Sequence, residues 1–561
     1  MVPTRPRRAR RTTLVTLTSS AVSLAAVLAG AGLGTVPAQA DPGTSVGSGS
    51  QSTTASISTR GMQEPGVTVN LWEWNWRSIA AECPRLDRAG YDGVQVAPPQ
   101  DSVKRTQTEA SDPKGTGSTI LHPWWEVYQA VDYGLTSRMG DEAEFKAMVS
   151  TCRKAGVKVY VDTVINHTTG QGTQSYGGKT YSSYDYPDAG YDSDDFHVPR
   201  GECPTADGGI ADYNNKTQVF NCNLSGLQDL ATQTPKVRGT LADYLNKLLG
   251  YGVSGFRVDA GKHVGQADLN AIYGKLRRTK DGKRPYWALE VFGGSPGALT
   301  PQAFTSSGDV LGLDGGRQIF NAFKSYGGSG NLGDISGLST FGSGSGLTRS
   351  SKTLSFVTNH DTDRNPGEYL GHRDGDQYLL ATEWLLADGY GSPQVYSSFT
   401  IKAPTGLPEN ATDDDKSGKN ASPPSNADGL ISDTSCTNGL WTCDHRLNQV
   451  VSMVRFHKYV AGKAKRNVYD REYNVLAFSR GSRGWAGFNN NAETDFAGAD
   501  GERTISVQTG LKAGRYCDIV SGGKAARGCT GTEVRVRSNG RATVTLPARG
   551  AVAFTAKDRI S

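Results

Sequence analysis

The sequence lacks a Cys-x-x-Cys pair, a glycine-rich dinucleotide fingerprint after any strand, and a charge excess outside its first 40 residues. The first absence disfavours a zinc site, so the eight cysteines are predicted to form disulfides, as in exported proteins. The second disfavours an open doubly wound sheet that binds a dinucleotide. The third gives no reason to expect nucleic acid as a partner, since removing the five arginines of residues 1–40 leaves 55 residues of each sign.

The first 40 residues are typical of a secretory signal. Five arginines precede an apolar stretch from about Leu14 to Val36, and Ala38–Ala40 supplies the small residues of a cleavage site. The Arg10-Arg11 pair is compatible with twin-arginine export, although the Sec route stays open. A membrane anchor is the alternative, which the cleavage site and the Ala/Gly-diluted stretch disfavour. We therefore predict a secreted, extracellular protein without a membrane partner, in which residues 41–65 form a flexible lead-in.

Short apolar strands alternate with helical patterns over about 400 residues, which indicates repeated strand–helix units. Strands are predicted at 67–74, 93–99, 157–167, 253–260, 285–292 and 353–361, and helices at 79–90, 141–156 and 236–252. The pattern predicts an α/β fold, a (β/α)8 TIM barrel, with an open doubly wound sheet as the alternative.

The same pattern divides the chain. The barrel is predicted in two parts, 66–165 and 231–461, separated after its third strand by an irregular insertion at 166–230 that is rich in Gly, Tyr, Asp and Ser. Residues 462–561 lose helical periodicity and show short alternating runs, which predicts a C-terminal antiparallel β-sandwich domain.

Four predicted strands end in a carboxylate: Asp162, Asp259, Glu290 and Asp361. The C-terminal ends of all barrel strands open on one face, so these acids are expected to converge there. A single acid in such a position is usually a helix cap or a solvated strand end. Four of them at the ends of barrel strands indicate a functional site instead. Arg257 lies two residues before Asp259 and should point to the same side, where it would keep Asp259 ionised. Glu290, in an apolar strand near other acids, should have a raised pKa and act as an acid.

Converging acids without zinc-ligand spacing suit glycoside hydrolysis, in which one carboxylate attacks and a carboxylic acid protonates the leaving oxygen. An aromatic cluster in the loop at 122–134 fits either a sugar-binding groove or a packed core, and its polar neighbours His122, Glu126 and Gln129 favour the groove. The aromatic residues are Trp124, Trp125, Tyr128 and Tyr133.

The segments DTVINH, GFRVDAGKH, LEV and FVTNHD, with PWWEVYQ and NLSGLQDL, resemble the ordered motifs of the α-amylases, most closely the animal-type branch also found in actinobacteria. The resemblance covers roughly residues 67–557. It implies a monomeric, calcium-dependent endo-α-amylase that cuts internal α-1,4-glucosidic bonds of starch and glycogen with retention of configuration. A transglycosylase on the same fold and a non-catalytic glycan-binding protein are the alternatives. The short terminal β-region disfavours the first, and the presence of all three catalytic acids disfavours the second.

The resemblance also implies roles for individual residues. Asp259 would be the nucleophile, Glu290 the acid/base, and Asp361 the residue that holds substrate hydroxyls. Calcium would be bound by the side chains of Asn166 and Asp229 and by the backbone oxygens of Phe220 and His263, since oxygen donors fit a hard cation. The implied substrate contacts are Trp124, Trp125, Tyr128, Gln129, His167, Arg257, Lys262, His263 and His360. The implied disulfides are Cys83–Cys152, Cys203–Cys222, Cys436–Cys443 and Cys517–Cys529.

Two departures from the animal-type pattern matter. That branch binds chloride with two arginines and an asparagine; Arg257 and Asn359 match, but Gln394 stands where the second arginine is expected. A buried anion needs charge or good donors to offset its desolvation, so we expect full activity without chloride. The glycine-rich mobile loop expected after NHD is also missing, and TDRNPGEYLGHRDGD, residues 362–376, stands there instead.

Overall fold

A computed structural model describes residues 62, 64–113, 117–324, 333–492 and 501–560. The predicted signal and most of the predicted lead-in lie outside the described residues. The first ten strands in chain order are β1 Thr68–Leu71, β2 Gly93–Val96, β3 Lys158–Thr163, β4 His167–Thr168, β5 Gln228–Asp229, β6 Gly255–Val258, β7 Tyr286–Leu289, β8 Asp309–Leu311, β9 Thr353–Ser355 and β10 Ser392–Ser397.

Eight of these strands close into a parallel barrel within the described part of the chain, in the order β1-β10-β9-β8-β7-β6-β3-β2. Strands β1, β2, β6 and β7 are buried at every position, as expected where helices cover a barrel whose interior is filled by side chains. The predicted (β/α)8 barrel is confirmed.

The helices around the barrel begin and end where local sequence signals place them. Asp141 caps a helix in a reciprocal box with Glu144, and Thr234 caps another that has Pro235 in its first turn. Gly252 ends the second helix in the left-handed region at φ 116°, which glycine adopts without strain. The α-helices are α1 Trp76–Ala89, α2 Gln107–Ser111, α3 Glu142–Lys154, α4 Lys216–Asn221, α5 Pro235–Tyr251, α6 Gln266–Gly274, α7 Pro301–Phe304, α8 Leu313–Phe323, α9 Asp376–Asp388, α10 Asp413–Lys416 and α11 Asn448–Val460.

Short 3-10 helices occupy several loops, including those at the carboxyl ends of the strands. They span Trp124–Tyr128, Ser193–Asp195, Gly261–His263, Gly297–Leu299, Ile335–Thr340, Ser343–Ser345, Ser350–Lys352, Thr362–Arg364, His372–Asp374, Asp444–Arg446 and Ala556–Asp558.

An irregular segment connects β3 to α5. Near its two ends, β4 pairs antiparallel with β5, and His167 lies opposite Asp229. The segment carries α4 and the disulfide Cys203–Cys222. The two ends of this segment are therefore held together beside the carboxyl end of β3.

The C-terminal region is an antiparallel β-domain, as predicted. Its strands are β11 Lys465–Glu472, β12 Val475–Arg480, β13 Gly484–Asn489, β14 Arg503–Gln508, β15 Gly514–Cys517, β16 Glu533–Val536, β17 Arg541–Leu546, β18 Gly550–Thr555 and β19 Arg559–Ile560. They form two sheets, β11-β12-β13-β18 and β14-β17-β16-β15-β19. Trp485 stacks on Phe554 with ring centroids 5.3 Å apart in the core of the domain. Alternating exposed and buried residues along β17 show one face against this core and one toward solvent.

The four disulfides pair as the resemblance implies: Cys83–Cys152, Cys203–Cys222, Cys436–Cys443 and Cys517–Cys529. The first joins α1 to α3, and the last lies in the C-terminal domain. Among the described residues, no helix has the length and apolar character needed to span a membrane.

Candidate active site

Arg257 lies at the centre of the candidate site, with 2 % of its side chain exposed. One terminal nitrogen donates to Asp162 at 2.9 Å and to Asp259 at 2.6 Å. The other donates to Glu290 and lies 3.5 Å from Asp361. Asp162, Asp259 and Glu290 lie at or directly after the ends of their strands, as predicted, whereas β9 ends at Ser355 and Asp361 lies in the loop before the 3-10 helix Thr362–Arg364. All four acids nevertheless converge on one guanidinium.

Strand register brings these groups together. Asp162 on β3 lies directly opposite Arg257 on β6. The chain continues the parallel pairing past the strand ends, since the backbone N–H of Asp259 donates to Thr163 and that of Glu290 donates to Val258. Because parallel strands in register present equivalent positions side by side, one cation reaches carboxylates from neighbouring strands.

The acids compete for a single positive charge in a buried site. Burial raises the pKa values of Glu290 and Asp361 to about 7, while Arg257 lowers both. Burial also raises the pKa of Asp162 and that of Asp259, against the opposing effect of Arg257. The expected rise at Glu290 is thus present. At Asp259 the cation does not bring the pKa below its ordinary value, because desolvation outweighs it.

Glu290 is held by the turn that follows Asp259. The backbone N–H of Ala260 donates to the Glu290 carboxylate at 2.8 Å, and the N–H of Lys262 donates to the Glu290 carbonyl at 2.9 Å. Ala260 adopts a left-handed conformation at φ 47°, which is strained for a residue with a side chain. In this left-handed conformation the backbone N–H of Ala260 points to the Glu290 carboxylate.

His360 lies in an aromatic stack next to the acids. Its ring is parallel to Trp72 at 4.7 Å and to Tyr128 at 5.3 Å between centroids. Its Nε2 atom lies 2.7 Å from the Tyr128 hydroxyl, which donates to Asp162 at 3.0 Å, and 3.2 Å from an oxygen of Asp361. Burial, together with Arg257, holds the pKa of His360 well below its usual range. A neutral imidazole therefore links Tyr128 to Asp361.

Other predicted substrate-contact residues divide into two groups. His167 lies near the acids, 4.0 Å from Asp259, and burial lowers its pKa to about 4. Gln129 and Lys262 are held by the protein: Gln129 accepts a hydrogen bond from Thr169 at 2.6 Å, and the Lys262 ammonium donates to Ser295 at 2.7 Å. Both side chains are buried.

The two tryptophans of the predicted groove are also buried. Trp124 packs on Trp72 with ring centroids 5.4 Å apart, and its indole N–H donates to the carbonyl of Lys419 at 2.7 Å. The indole N–H of Trp125 donates to Asn420 at 3.1 Å. Residues about 295 positions further along the chain thus cover the pair.

The residues implied for calcium lie together where the insertion leaves the barrel. The amide of Asn166 is 3.0 Å from Asp229, whose other oxygen is 2.5 Å from His197. The His263 ring bonds to the carbonyl of Val219 at 3.1 Å, which places α4, with Phe220, beside the turn that carries His263. Within the described residues, no group of three His, Cys, Asp or Glu side chains forms a metal site. A set with one carboxylate, one amide and two carbonyl oxygens fits a hard cation, with the amide turned to present its oxygen.

The sequence matches family models and proteins of known function along most of its length. The family model of the alpha-amylase catalytic domain matches residues 86–283, and that of the alpha-amylase C-terminal all-beta domain matches residues 466–557. An alpha-amylase of Thermomonospora curvata is 40 % identical over 499 residues, covering 87 % of this chain and 73 % of that relative. Pancreatic alpha-amylase of Sus scrofa is 36 % identical over 500 residues, covering 85 % and 91 %. The chain belongs to the alpha-amylase family.

Solved structures agree with this assignment. The crystal structure of alpha-amylase I from Eisenia fetida has a TM-score of 0.78 and 34 % identity, covering 88 % of this chain and 98 % of that one. A mutant of the same enzyme in complex with maltohexaose gives a TM-score of 0.77. A gamma-cyclodextrin glucanotransferase from an alkalophilic bacillus has a TM-score of 0.59 at 16 % identity, which shows a shared fold alone.

Of the residues that bear on the implied chloride site, Arg257 and Gln394 line a small cavity of about 10 Å³ inside the barrel, whereas Asn359 is not among its lining residues. The Gln394 amide donates to Gln95 at 3.0 Å and to Thr68 at 3.3 Å, rather than turning to Arg257. The side-chain oxygen of Asn359 accepts hydrogen bonds within its own turn. The cavity has room for about one water molecule, and its single cation already binds four carboxylates. These residues do not fit a bound chloride.

Sequence reasoning missed several residues that shape the site. Trp72 directly follows β1 and stacks on His360. Because residues just after barrel strands lie at the active-site face, its sequence position could have identified it. Arg364 follows Asp361 by three residues and lies over Trp72 and Trp124 at 4.7 and 4.4 Å. No sequence signal identified Lys419 or Asn420, because they reach the site from a distant loop.

Proposed function

We propose that the chain is an endo-acting alpha-amylase that hydrolyses internal α-1,4-glucosidic bonds of starch and glycogen with retention of configuration. The observation that carries the proposal is the Arg257 guanidinium, which donates to both Asp259 and Glu290. A shared cation keeps the two carboxyl groups close, and retaining glycosidases need a separation of about 5–5.5 Å.

The reaction follows from the two carboxyl groups. A carboxylate oxygen of Asp259 attacks the anomeric carbon while Glu290 gives its proton to the glycosidic oxygen, so the C–O bond breaks and the leaving chain departs with a hydroxyl. Glu290 then accepts a proton from water, whose oxygen attacks the same carbon and releases Asp259. A pKa of about 7 at Glu290 supports this role, because a sizeable fraction of the group is protonated near neutral pH.

Neighbouring side chains are proposed to hold the sugar unit under attack. Tyr128, His167 and His360 surround the acids, and Asp361 lies beside His360. A neutral imidazole both donates and accepts a hydrogen bond, which suits sugar hydroxyls. Asp361 is therefore proposed to hold substrate hydroxyls and help distort the ring.

Calcium is proposed to bind through Asn166, Asp229 and the backbone oxygens of Phe220 and His263. When bound, the ion supplies a structural tie between the insertion and the turn after β6. Burial raises the pKa of Asp229 to about 6, against the effect of His197, so a nearby cation would favour the carboxylate form of this residue.

The chain is also proposed to act outside the cell as a monomer. The four disulfides support an oxidising compartment. Light scattering after size-exclusion chromatography of the purified protein measures the oligomeric state, and N-terminal sequencing of the secreted chain locates the start of the mature protein.

The experiment for the enzymatic proposal compares wild type with Asp259→Asn and Glu290→Gln, using reducing-sugar release and loss of iodine colour from starch. General acid help alone is worth about 10²–10⁴ in rate, so each variant should lose at least that factor. Asp470→Asn, an exposed position in β11, is the matched control and should keep full activity. Cyclic products would favour the transglycosylase, and starch binding without cleavage by wild type would favour the glycan-binding protein.

A further inference from the structure

Trp72 directly follows β1 and is fully buried beside the acids. Its backbone extends the pairing of β1 with β10, because its N–H donates to the carbonyl of Ser397 at 3.2 Å. The Ser398 hydroxyl donates to the Trp72 carbonyl at 3.3 Å. The backbone that carries this side chain is therefore held by the barrel itself.

Aromatic rings and one cation hold the Trp72 indole in one orientation. The indole stacks on His360 with centroids 4.7 Å apart and on Phe399 with centroids 5.9 Å apart. It meets the Trp124 ring edge-on at 5.4 Å, and the Arg364 guanidinium lies 4.7 Å from its centroid. In a closely packed environment such a ring does not turn, so its N–H has a fixed direction.

The indole N–H of Trp72 donates to the hydroxyl oxygen of Tyr128 at 3.0 Å. An indole nitrogen is only a donor, so this bond has a single direction. The same hydroxyl donates to Asp162 at 3.0 Å and lies 2.7 Å from Nε2 of His360. Three polar groups therefore surround an oxygen that has one hydrogen to give and two positions at which it accepts.

These contacts assign the hydrogen of the neutral His360 imidazole. The single hydrogen of Tyr128 goes to the Asp162 carboxylate. Trp72 fills one acceptor position of the phenolic oxygen, and an N–H of His360 fills the other, so the imidazole hydrogen lies on Nε2. Among the described residues, Nδ1 of His360 has no hydrogen-bond partner. This agrees with a ring nitrogen without a hydrogen, because buried N–H groups without a partner are rare.

The Nε2 hydrogen of His360 also faces Asp361, whose nearer oxygen is 3.2 Å away. Without the Trp72 N–H, the phenolic oxygen has an empty acceptor position, and the hydroxyl is free to donate to a bare Nε2 instead. The imidazole hydrogen then moves to Nδ1, and Nε2 presents a lone pair to Asp361. In that arrangement the histidine no longer offers a donor on the side of the acids.

We propose that Trp72 is a positioning residue for the reaction: its indole N–H keeps the hydrogen of His360 on Nε2, where it faces Asp361 and the sugar unit under attack. The inference rests on the proposed function. Because Trp72 is fully buried, it acts through Tyr128 and His360 and not on the substrate. Its contribution is the direction of one hydrogen bond, which phenylalanine cannot supply.

A double-mutant cycle of Trp72→Phe and Tyr128→Phe tests this role through initial rates of reducing-sugar release from starch. With Tyr128 present, Trp72→Phe should lower kcat/KM by about 2- to 12-fold, the worth of one hydrogen bond. With Tyr128→Phe in place, the same substitution should change kcat/KM by less than about twofold, because the acceptor is gone. Equal losses in both backgrounds overturn the proposal, since a packing role needs no hydroxyl.

Trp76→Phe is the matched control. Trp76 is fully buried at the start of α1 and packs edge-on against Phe145 at 5.3 Å between centroids. Within the described part of the chain, its indole N–H has no partner. Both tryptophan substitutions remove the same ring volume, so an effect of packing alone should appear in both. Trp76→Phe should keep the kcat/KM of wild type, and a loss equal to that of Trp72→Phe contradicts the proposal.

A second measurement depends neither on activity nor on the stability of Trp72→Phe. The nine tryptophans, isotope-labelled at the indole nitrogen, give one N–H signal each in an NMR spectrum. Tyr128→Phe should move one signal upfield, because the Trp72 N–H loses its acceptor. A spectrum in which every signal stays in place overturns the proposal. If wild type cleaves no glucan, the proposed function fails together with the positioning role, whereas equal losses in an active enzyme remove the positioning role alone.

Discussion

Substitution of Glu73 by Gln should flatten the dependence of the free energy of unfolding on pH between about 4.5 and 8. Glu73 follows Trp72 at the end of β1, is fully buried, and has φ 55°. Neither carboxylate oxygen has a hydrogen-bond partner. Burial raises its pKa from 4.5 to about 8, while Arg138 and Arg364 lower it and Glu126 raises it.

The sign follows from proton linkage. The folded chain keeps a proton on Glu73 that the unfolded chain releases above about pH 4.5, so this proton stabilises the fold fully below that pH. The contribution is lost as pH rises from 4.5 to about 8. At 1.36 kcal/mol per pKa unit, the difference amounts to about 5 kcal/mol, of which about 3.5 kcal/mol is lost between pH 5 and pH 8.

Urea unfolding of wild type and Glu73→Gln at pH 5, 6, 7 and 8 measures this contribution. Glutamine keeps the shape and the neutral state, so the variant should gain on wild type by about 3.5 kcal/mol between the ends of the series. Glu409→Gln, at an exposed site, is the control and should follow wild type. Parallel pH curves for Glu73→Gln and wild type would refute the reasoning, because they would mean that Glu73 titrates alike in both states.

Three further predictions concern the site. Chelation should lower Tm and activity of wild type, whereas Asp229→Asn should reduce the effect of the chelator on Tm; an unchanged wild-type melting curve after prolonged chelation counts against the calcium site. Sodium chloride at constant ionic strength should change wild-type activity by less than about twofold, because the single cation near Gln394 is already paired, and Gln394→Arg should introduce a response; tenfold activation of wild type contradicts this. The kcat/KM value should fall above about pH 7 as Glu290 loses its proton, and a rate that holds steady to pH 9 would exclude Glu290 as the acid.

The acids could be located from sequence because each follows an apolar strand, and barrel geometry alone brings strand ends together. Two barrel strands could not be found in this way. β8 has three residues, and β10 contains Pro393 and the polar Gln394, which faces the interior cavity. Short polar strands have no periodic signal, so only their neighbours in the closed barrel define them.

The burial of Trp125 could not be predicted for a different reason. Its cover comes from Asn420, and a contact across 295 residues leaves no trace in local sequence. The direction of the pKa shift of Asp259 could not be predicted either. The sequence indicates that Arg257 lies beside Asp259, but the desolvation that outweighs this cation depends on the complete fold.

Closure of the barrel also sets an order of events during synthesis. β1 pairs with β10, and Thr68 lies 326 residues before its partner Gln394. A chain made from its N-terminus therefore keeps the free edge of β1 unpaired until nearly 400 residues exist, and unpaired edges invite association between chains. The bond Cys83–Cys152 spans 69 residues within the first portion made. Once this bond has formed, it joins α1 to α3 within the first part of the barrel, so fewer chain conformations remain for β10 to reach the free edge of β1.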